Sequence, residues 1–344
     1  MVQNEAAWIV AAKAKPLKVG SAPEPHANAG EVVIKNAAVA VNPVDWKIQE
    51  IDLFRQQYPN ILGFDVAGTI ESVGEGVTHL HKGQRVLAVC DGADTGKTAN
   101  MGFQLYSTTS ALLVSPIPDG LSFEKAAVLP SSILTAAAGL YQKNNLALPL
   151  PTPEPKGPTG QTLLVWGGAS SVGGAVIQLA VASGLNVVAT ASSHNHSHVR
   201  GLGASKVFDY KSPTVVDDLA EALGSVKLAG VYDAASVEDS ISKIGAVLDK
   251  IGTSAKVALV LPASDLPSSI QPLPLHGMTL AHEENRDECK AIWQDFVPRA
   301  LQEGRLQPKP DPLVVGTGLD KIQDGLDALK AGVSAKKIVV KLQE

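Results

Sequence analysis

The sequence predicts an α/β chain in two parts, a doubly wound parallel sheet and a compact β-barrel-like domain. Three observations carry that prediction. Residues 162–190 read as strand, glycine turn, helix and strand, which is one βαβ unit. Strand and helix candidates go on alternating through residue 261, the pattern of a parallel sheet with helical crossovers. Residues 1–120 instead show short strands separated by glycine turns, with little helical periodicity.

Thr162–Trp166 is a short apolar run of strand formers, as expected for a strand buried on both faces. Gly167 and Gly168 let the backbone turn sharply with no Cβ in the way. From Val172 the period becomes helical: Val176, Leu179, Ala180 and Ser183 share its face. Gly184 stands where a left-handed C-terminal residue belongs. Asn186–Thr190 is the second strand. Free N–H groups at such a helix start, backed by the helix dipole, suit a phosphate or pyrophosphate. The spacing Gly168-x-Ser170-x-x-Gly173 resembles the dinucleotide fingerprint, with Ser170 in the second glycine position. An NAD site places an acidic residue after the second strand, yet no Asp or Glu lies between Gly168 and Asp209. Ser192, Ser193, His194, Asn195 and His196 follow that strand, with Arg200 beyond. Such groups suit a 2′-phosphate, which a carboxylate would repel. The expectation is NADPH; the plainer alternative is a polar surface loop.

The remaining elements follow in order. A chain of 344 residues is expected to form two domains. Lys and Arg total 29 against 34 Asp and Glu, a net charge of −5 that favours neither nucleic acid nor an anionic membrane as partner. Cys90 and Cys289, the two cysteines, lie far apart and in no metal spacing, which points to a reducing compartment. Ala6–Ala12 is too short for a signal core and nothing approaches a membrane span, so a cytoplasmic protein is expected. Glu31–Val41 alternates loosely and ends at Asn42-Pro43, a pair expected to fix a turn because proline restricts its own φ and the residue before it. Phe64–Val73 leads into Gly74-Glu75-Gly76, and Gln84–Val89 follows the turn at Lys82-Gly83. Leu121–Leu140 reads as one helix with Ser122 as its N-cap. Asn144–Gly160 is proline-rich and reads as an exposed loop. Val207–Asp209, Gly230–Asp233 and Lys256–Leu261 are further strands, with Val215–Leu223 and Ser240–Ile251 helical between them. Asp287–Glu303 is an amphipathic helix with Ile292, Phe296 and Ala300 on one face, Leu319–Lys330 is another helix, and Lys337–Leu342 closes the chain as a strand.

Local motifs sharpen this frame. Asn42-Pro43-Val44-Asp45, Leu62-Gly63-Phe64-Asp65-x-x-Gly68, Lys82-Gly83-Gln84-Arg85-Val86, the glycine turn, Gly203-Ala204 before Val207-Phe208-Asp209-Tyr210, and the final strand together resemble the medium-chain dehydrogenase/reductase superfamily over nearly the whole chain. Within it the chain looks like the quinone oxidoreductase branch, and most like the trans-acting enoyl reductases of fungal polyketide pathways. The resemblance implies a GroES-like β-barrel catalytic domain, residues 1–125 and 276–344, with a Rossmann NADPH-binding domain, residues 126–275, inserted in it. Zinc alcohol dehydrogenases of this superfamily hold their metal with a cysteine, a Gly-His-Glu motif and a second cysteine. Here Asn42 takes the first cysteine position and Gly63-Phe64-Asp65 replaces Gly-His-Glu, so no zinc site is expected. His79 and His81 read as solvated loop residues.

Without zinc to polarise a carbonyl directly, hydride addition to an activated C=C is the expected reaction, with donors supporting the enolate oxygen. By resemblance, Val44, Asp45, Trp46 and Lys47 approach the nicotinamide half, joined by Thr135. Ala169, Ser170, Ser171 and Val172 hold the pyrophosphate; Ser192, Ser193, His194 and Asn195 with Tyr210 take the 2′-phosphate and adenine side. Val260, Leu261, Ser334 and Ala335 close over the nicotinamide. Lys47 and Thr135 are the catalytic candidates, and Tyr58 is a further pocket donor. On spacing alone Asp45 and Lys47 form a structural ion pair equally well, Trp46 belongs to the core equally well, and Tyr210 is a packed strand-end aromatic. Quinone or carbonyl reduction at the same site, or cofactor binding without catalysis, are the alternatives. The expected substrate is a small or carrier-bound enoyl compound, with a megasynthase among the partners the resemblance allows, and the chain is a monomer or homodimer.

Overall fold

Six parallel strands form one sheet in the order Lys206–Phe208, Asn186–Thr190, Gln161–Trp166, Lys227–Asp233, Ala255–Leu259, Ile270–Pro274. Numbered along the chain this is 3-2-1-4-5-6, the doubly wound order that reverses beside the first strand. The strands are buried, as their continuous apolar runs require. The last strand carries no sequence signal, because Pro272 and Pro274 argue against a ladder. It forms because it is the edge. The Leu275 N–H donates to the Leu259 carbonyl at 3.1 Å and the Ser269 carbonyl accepts from Ala255 at 3.0 Å, so odd-numbered residues face the neighbouring strand. Both proline nitrogens lie on the outer side.

The structure, a computed structural model, describes residues 3–54, 57–154 and 157–342. Pro155 and Lys156 of the proline-rich stretch therefore lie outside the described residues. The chain divides into two compact units, Met1–Ser131 with Val297–Glu344, and Ser132–Phe296. The return to the first unit falls at Phe296/Val297, later than the boundary at 276 read from the sequence. Among the described residues no helix is long and apolar enough to cross a membrane.

The first unit is built on a seven-stranded sheet. Its order is Asp311–Thr317, Lys336–Lys341, Glu31–Ala40, Asp65–Val73, Arg85–Val89, Val114–Pro116, with Tyr106–Ser110 also paired to Glu31–Ala40. All pairs are antiparallel except the first. Glu31–Ala40 bulges between Asn36 and Ala38, and Gly68 lies opposite: a Cβ there would stand 2.1 Å from the Lys35 carbonyl oxygen. Asn4–Ile9 pairs with Lys18–Ala22 and Asn60–Ile61 in a small second sheet. One core cluster runs from Ala6 through Ile34, Val66, Val86 and Phe103 to Ile338 and Val340.

Three helical predictions change. Asn42-Pro43 opens a helix, Pro43–Ile51, where a turn was expected; proline at the first helical position costs no hydrogen bond. Leu121–Leu140 is two helices, Phe123–Ala126 and Pro130–Tyr141, because Pro130 cannot continue a helix but can start one. Ser122 is the N-cap as predicted, its hydroxyl accepting from Lys125 N–H at 3.4 Å. Asp287–Glu303 becomes α-helix Arg286–Lys290, a π-helical turn Ala291–Phe296 and α-helix Val297–Gln302; Pro298 lacks the N–H needed to keep the α ladder intact.

Candidate active site

The glycine turn lies at the carboxyl end of Gln161–Trp166, beside the strand where the sheet order reverses, the usual location of a ligand crevice. Helix Ser171–Ala182 starts there because Ser170 caps it. The Ser170 hydroxyl accepts from Gly173 N–H at 3.0 Å and donates to the Gly167 carbonyl at 2.9 Å. Ser170 thus substitutes for the second fingerprint glycine by turning back onto its own loop. The N–H groups of Ala169, Ser171 and Val172 take no acceptor among the described residues and stand at the positive end of the helix dipole. Gly173 is required sterically: a Cβ there would be 2.2 Å from the Gly167 carbonyl oxygen. This cradle fits a diphosphate.

Across the crevice of the same unit, Asp233 ends its strand and ties the next loop. It accepts from Ala235 N–H at 3.0 Å, Ser236 N–H at 2.9 Å and the Ser240 hydroxyl at 2.6 Å. Ser236, held at φ 48°, accepts the Val260 N–H at 2.8 Å. The Val260 N–H is therefore committed to the loop, while Leu261 beside it is exposed. Asp233 and Ser236 escaped the sequence reading; the signal was a carboxylate closing an apolar run. Thr135 is half-buried in Pro130–Tyr141, and its carbonyl accepts from the Tyr232 hydroxyl at 2.8 Å.

The loop after Asn186–Thr190 is tied to Tyr210: the Ser192 hydroxyl donates to the Tyr210 hydroxyl at 2.9 Å. Ser193–Asn195 form a 3₁₀ turn with His194 exposed. The stretch without acidic residues does not keep carboxylates away from this loop: Asp209 folds back so that its carboxylate accepts the Ser193 N–H at 3.3 Å. Lys211 and Lys243 also meet at Tyr210, the first over its ring and the second on its carbonyl at 3.0 Å.

In the first unit Asn42, at the expected first-cysteine position, and Asp65, next to Phe64 in the replaced Gly-His-Glu motif, come together around the Lys337 ammonium. The Asn42 amide nitrogen donates to Asp65 at 2.9 Å, and its amide oxygen accepts from the Lys337 ammonium. That ammonium, 4% exposed, also pairs with Asp65 at 3.0 Å. The other Asp65 oxygen accepts from the Ser131 N–H at 2.7 Å and from its hydroxyl. Among the described residues no group of three or more His, Cys, Asp and Glu is placed to hold a metal. His79 and His81 instead meet the carbonyls of Ala111 and Lys82, both at 3.2 Å.

Asp45 belongs to this cluster, which corrects its assignment to the nicotinamide. It is fully buried, accepting from Asn42 N–H at 2.7 Å and Gly63 N–H at 3.2 Å. Burial pushes its carboxyl up to about 7, with the Asn42 N–H pulling back and the Asp65 charge adding to the rise. Nor do Asp45 and Lys47 form a pair: two residues apart on a helix, they point to opposite sides. Lys47 is half-buried, its ammonium 5.8 Å from the Trp46 ring centroid and without a carboxylate partner among the described residues. Val44 and Trp46 are half-buried against the core. Ser334 is exposed, and Ala335 holds a left-handed φ of 47° before the strand that carries Lys337. The Tyr58 hydroxyl donates a hydrogen bond to the Asp52 carboxylate at 2.5 Å, so it is not a free donor; burial and that carboxylate push the phenol up to about 12.

Comparison with known proteins adds the following. Residues 28–137 match the alcohol dehydrogenase GroES-like domain family and residues 171–295 the zinc-binding dehydrogenase family. The trans-enoyl reductase himH of Aspergillus japonicus is 46% identical over 339 residues, covering 98% of this chain and 97% of that protein. The dehydrogenase orsE of Emericella nidulans is 38% identical, covering 99% of this chain and all of that one (100%). The structure of an alcohol dehydrogenase superfamily protein from Novosphingobium aromaticivorans superposes with a TM-score of 0.78 at 24% identity, covering 99% of this chain and 100% of that one.

Proposed function

The chain belongs to the medium-chain dehydrogenase/reductase superfamily, and we propose that within it the protein is an NADPH-dependent reductase of an activated C=C bond, an enone or enoyl thioester, that works without zinc. The observation that carries the reading is the Asn42–Asp65–Lys337 cluster. A zinc site needs three or four thiolate, imidazole or carboxylate ligands. Here both ends of the Asn42 amide are spent within the cluster, and one lysine ammonium is bonded to both Asn42 and Asp65. The donor set does not fit the metal, and a reaction that needs no Lewis acid fits the residues. The likeness to himH, itself named a trans-enoyl reductase, supports the substrate class.

When bound, NADPH supplies the hydride that adds to the β-carbon. The Ala169, Ser171 and Val172 N–H groups would hold its diphosphate, and Ser192, Ser193, His194, Asn195 and Tyr210 the 2′-phosphate and adenine side. Val44, Trp46, Lys47, Val260, Leu261, Ser334 and Ala335 would serve the nicotinamide side. Asp45 acts one step back, capping the helix that carries Lys47. The Lys47 ammonium and the Thr135 hydroxyl would support negative charge on the carbonyl oxygen of the acceptor, and a solvent molecule or side chain would then give its proton to the α-carbon. The substrate is a small enoyl compound or a carrier-bound thioester handed over by a synthase, and the setting is cytoplasmic.

The test is NADPH consumption, before and after prolonged chelation, against enones, enoyl thioesters, quinones and aldehydes. Turnover of the first two classes, unaffected by chelation, is expected. Quinone or aldehyde turnover alone would replace the substrate class, and activity lost on chelation and restored by zinc would remove the metal-free reading.

A further inference from the structure

Around Tyr210 the charges do not add up to an anion site unless one more residue takes part. Asp209 presents one carboxylate oxygen to Lys211 N–H at 2.9 Å and the other to Ser193 N–H at 3.3 Å. The Lys211 N–H, the strongest influence on it, holds that carboxyl below its ordinary value, so it is ionised at neutral pH. A carboxylate bonded to the Ser193 backbone repels a phosphate arriving at Ser192–Asn195 and suits a ribose hydroxyl instead. The loop's own hydroxyls carry no charge to offset it.

Three cations stand nearby in sequence or space. Lys243 is already paired, 2.9 Å from Asp239 and 3.0 Å from the Tyr210 carbonyl oxygen. Arg200 sits in the last turn of helix His196–Gly201, more than a turn beyond Asn195. Lys211 remains. Its ammonium lies 5.8 Å from the centroid of the Tyr210 ring, whose hydroxyl is bonded to Ser192, and it takes no carboxylate partner among the described residues. The cation is held by an aromatic face and by the backbone turn at Asp209, with its charge unspent.

We propose that Lys211 is the specificity-determining cation of the dinucleotide site, presented over Tyr210 to meet the 2′-phosphate and to overrule Asp209. This rests on the NADPH reading above. It assigns opposite roles to two neighbours: Asp209 shapes the loop and opposes NADPH, and Lys211 supplies the preference.

The experiment is equilibrium fluorescence titration of wild type, Lys211→Gln, Lys211→Arg, Arg200→Gln and Asp209→Asn with NADPH and NADH, at low and high salt. Competition by adenosine 2′,5′-bisphosphate isolates the phosphate end. Lys211→Gln is expected to raise the NADPH Kd about tenfold, the size of one charge-assisted contact, with NADH changed less than about twofold. Lys211→Arg should keep most of the preference, Arg200→Gln should alter it little, and Asp209→Asn should tighten NADPH. The salt dependence of NADPH binding should weaken in Lys211→Gln. An unchanged NADPH-to-NADH ratio in Lys211→Gln, or a ratio lost in Arg200→Gln instead, overturns the assignment while the NADPH reading stands. Equal affinity of the wild type for both nucleotides overturns the NADPH reading, and the role of Lys211 falls with it.

Discussion

The two units treat their polar groups in opposite ways. The buried cluster of the first unit, Asn42, Asp45, Asp65, Ser131 and Lys337, spends nearly every donor and acceptor on itself. The glycine turn of the second leaves three N–H groups of Ala169, Ser171 and Val172 unspent at a helix start. Three lysines make the same point. Lys337 is consumed by its partners, while Lys47 and Lys211 rest against aromatic rings with their charge free. Residue type alone does not mark a functional group. Whether the fold leaves the group unsatisfied does.

The contrast can be broken most visibly at Lys337. Lys337→Met strands the Asp65 carboxylate and the Asn42 carbonyl in the interior, at a cost of about 3–5 kcal/mol. A melting temperature about 10 °C lower is expected, and Asp65→Asn in the same chain should recover part of it. A shift of less than about 2 °C would mean that the cluster is not the satisfied core described here.

Asp45 sharpens the contrast through pH. Its folded value, raised to about 7, lies above the unfolded one, so the stability it contributes is present below pH ~4 and is lost as pH rises through ~7. Taking half the shift at 1.36 kcal/mol per unit gives about 2 kcal/mol. Urea midpoints from pH 4 to 8 should show wild type losing ground to Asp45→Asn across that window. A difference that stays flat across the window would show the carboxylate ionised throughout, with the capping N–H groups stronger than burial.

On the unspent side, Lys47→Ala should melt like wild type yet turn over at least about tenfold more slowly, about 1.4 kcal/mol of barrier. Lys47→Arg should recover little, since a planar fork does not replace a compact ammonium. A lower melting temperature with unchanged turnover would move Lys47 to the structural side. The smallest effect belongs to Ser170→Ala, about 1 kcal/mol of lost N-cap. It should also weaken cofactor binding modestly, because the loop that presents the three N–H groups is closed by that hydroxyl; unchanged binding would show that the loop closes without it.

Much of this fold was legible because its signals are local. The βαβ unit, the Ser122 cap, the left-handed Gly184 and the closing strand follow from residues a few positions apart. What was illegible comes from long-range pairing. Nothing local brings Lys337 to Asn42, or Asp209 back to Ser193. Asn42-Pro43 supports a turn and a helix start equally well until Asp45 closes the cap. Ile270–Pro274 and Asp311–Thr317 are strands because a neighbour offers an edge, which propensity does not record.

That proline-bearing edge has one more consequence. Along the outer side of Ile270–Pro274 the repeating donor is missing at Pro272 and again at Pro274, so the rim offers carbonyls with almost no N–H to match. A foreign strand needs both to dock in register. The parallel sheet ends there by its own chemistry: it cannot act as a template for further growth, and this part of the surface is protected from strand exchange and fibre-like stacking without a covering loop.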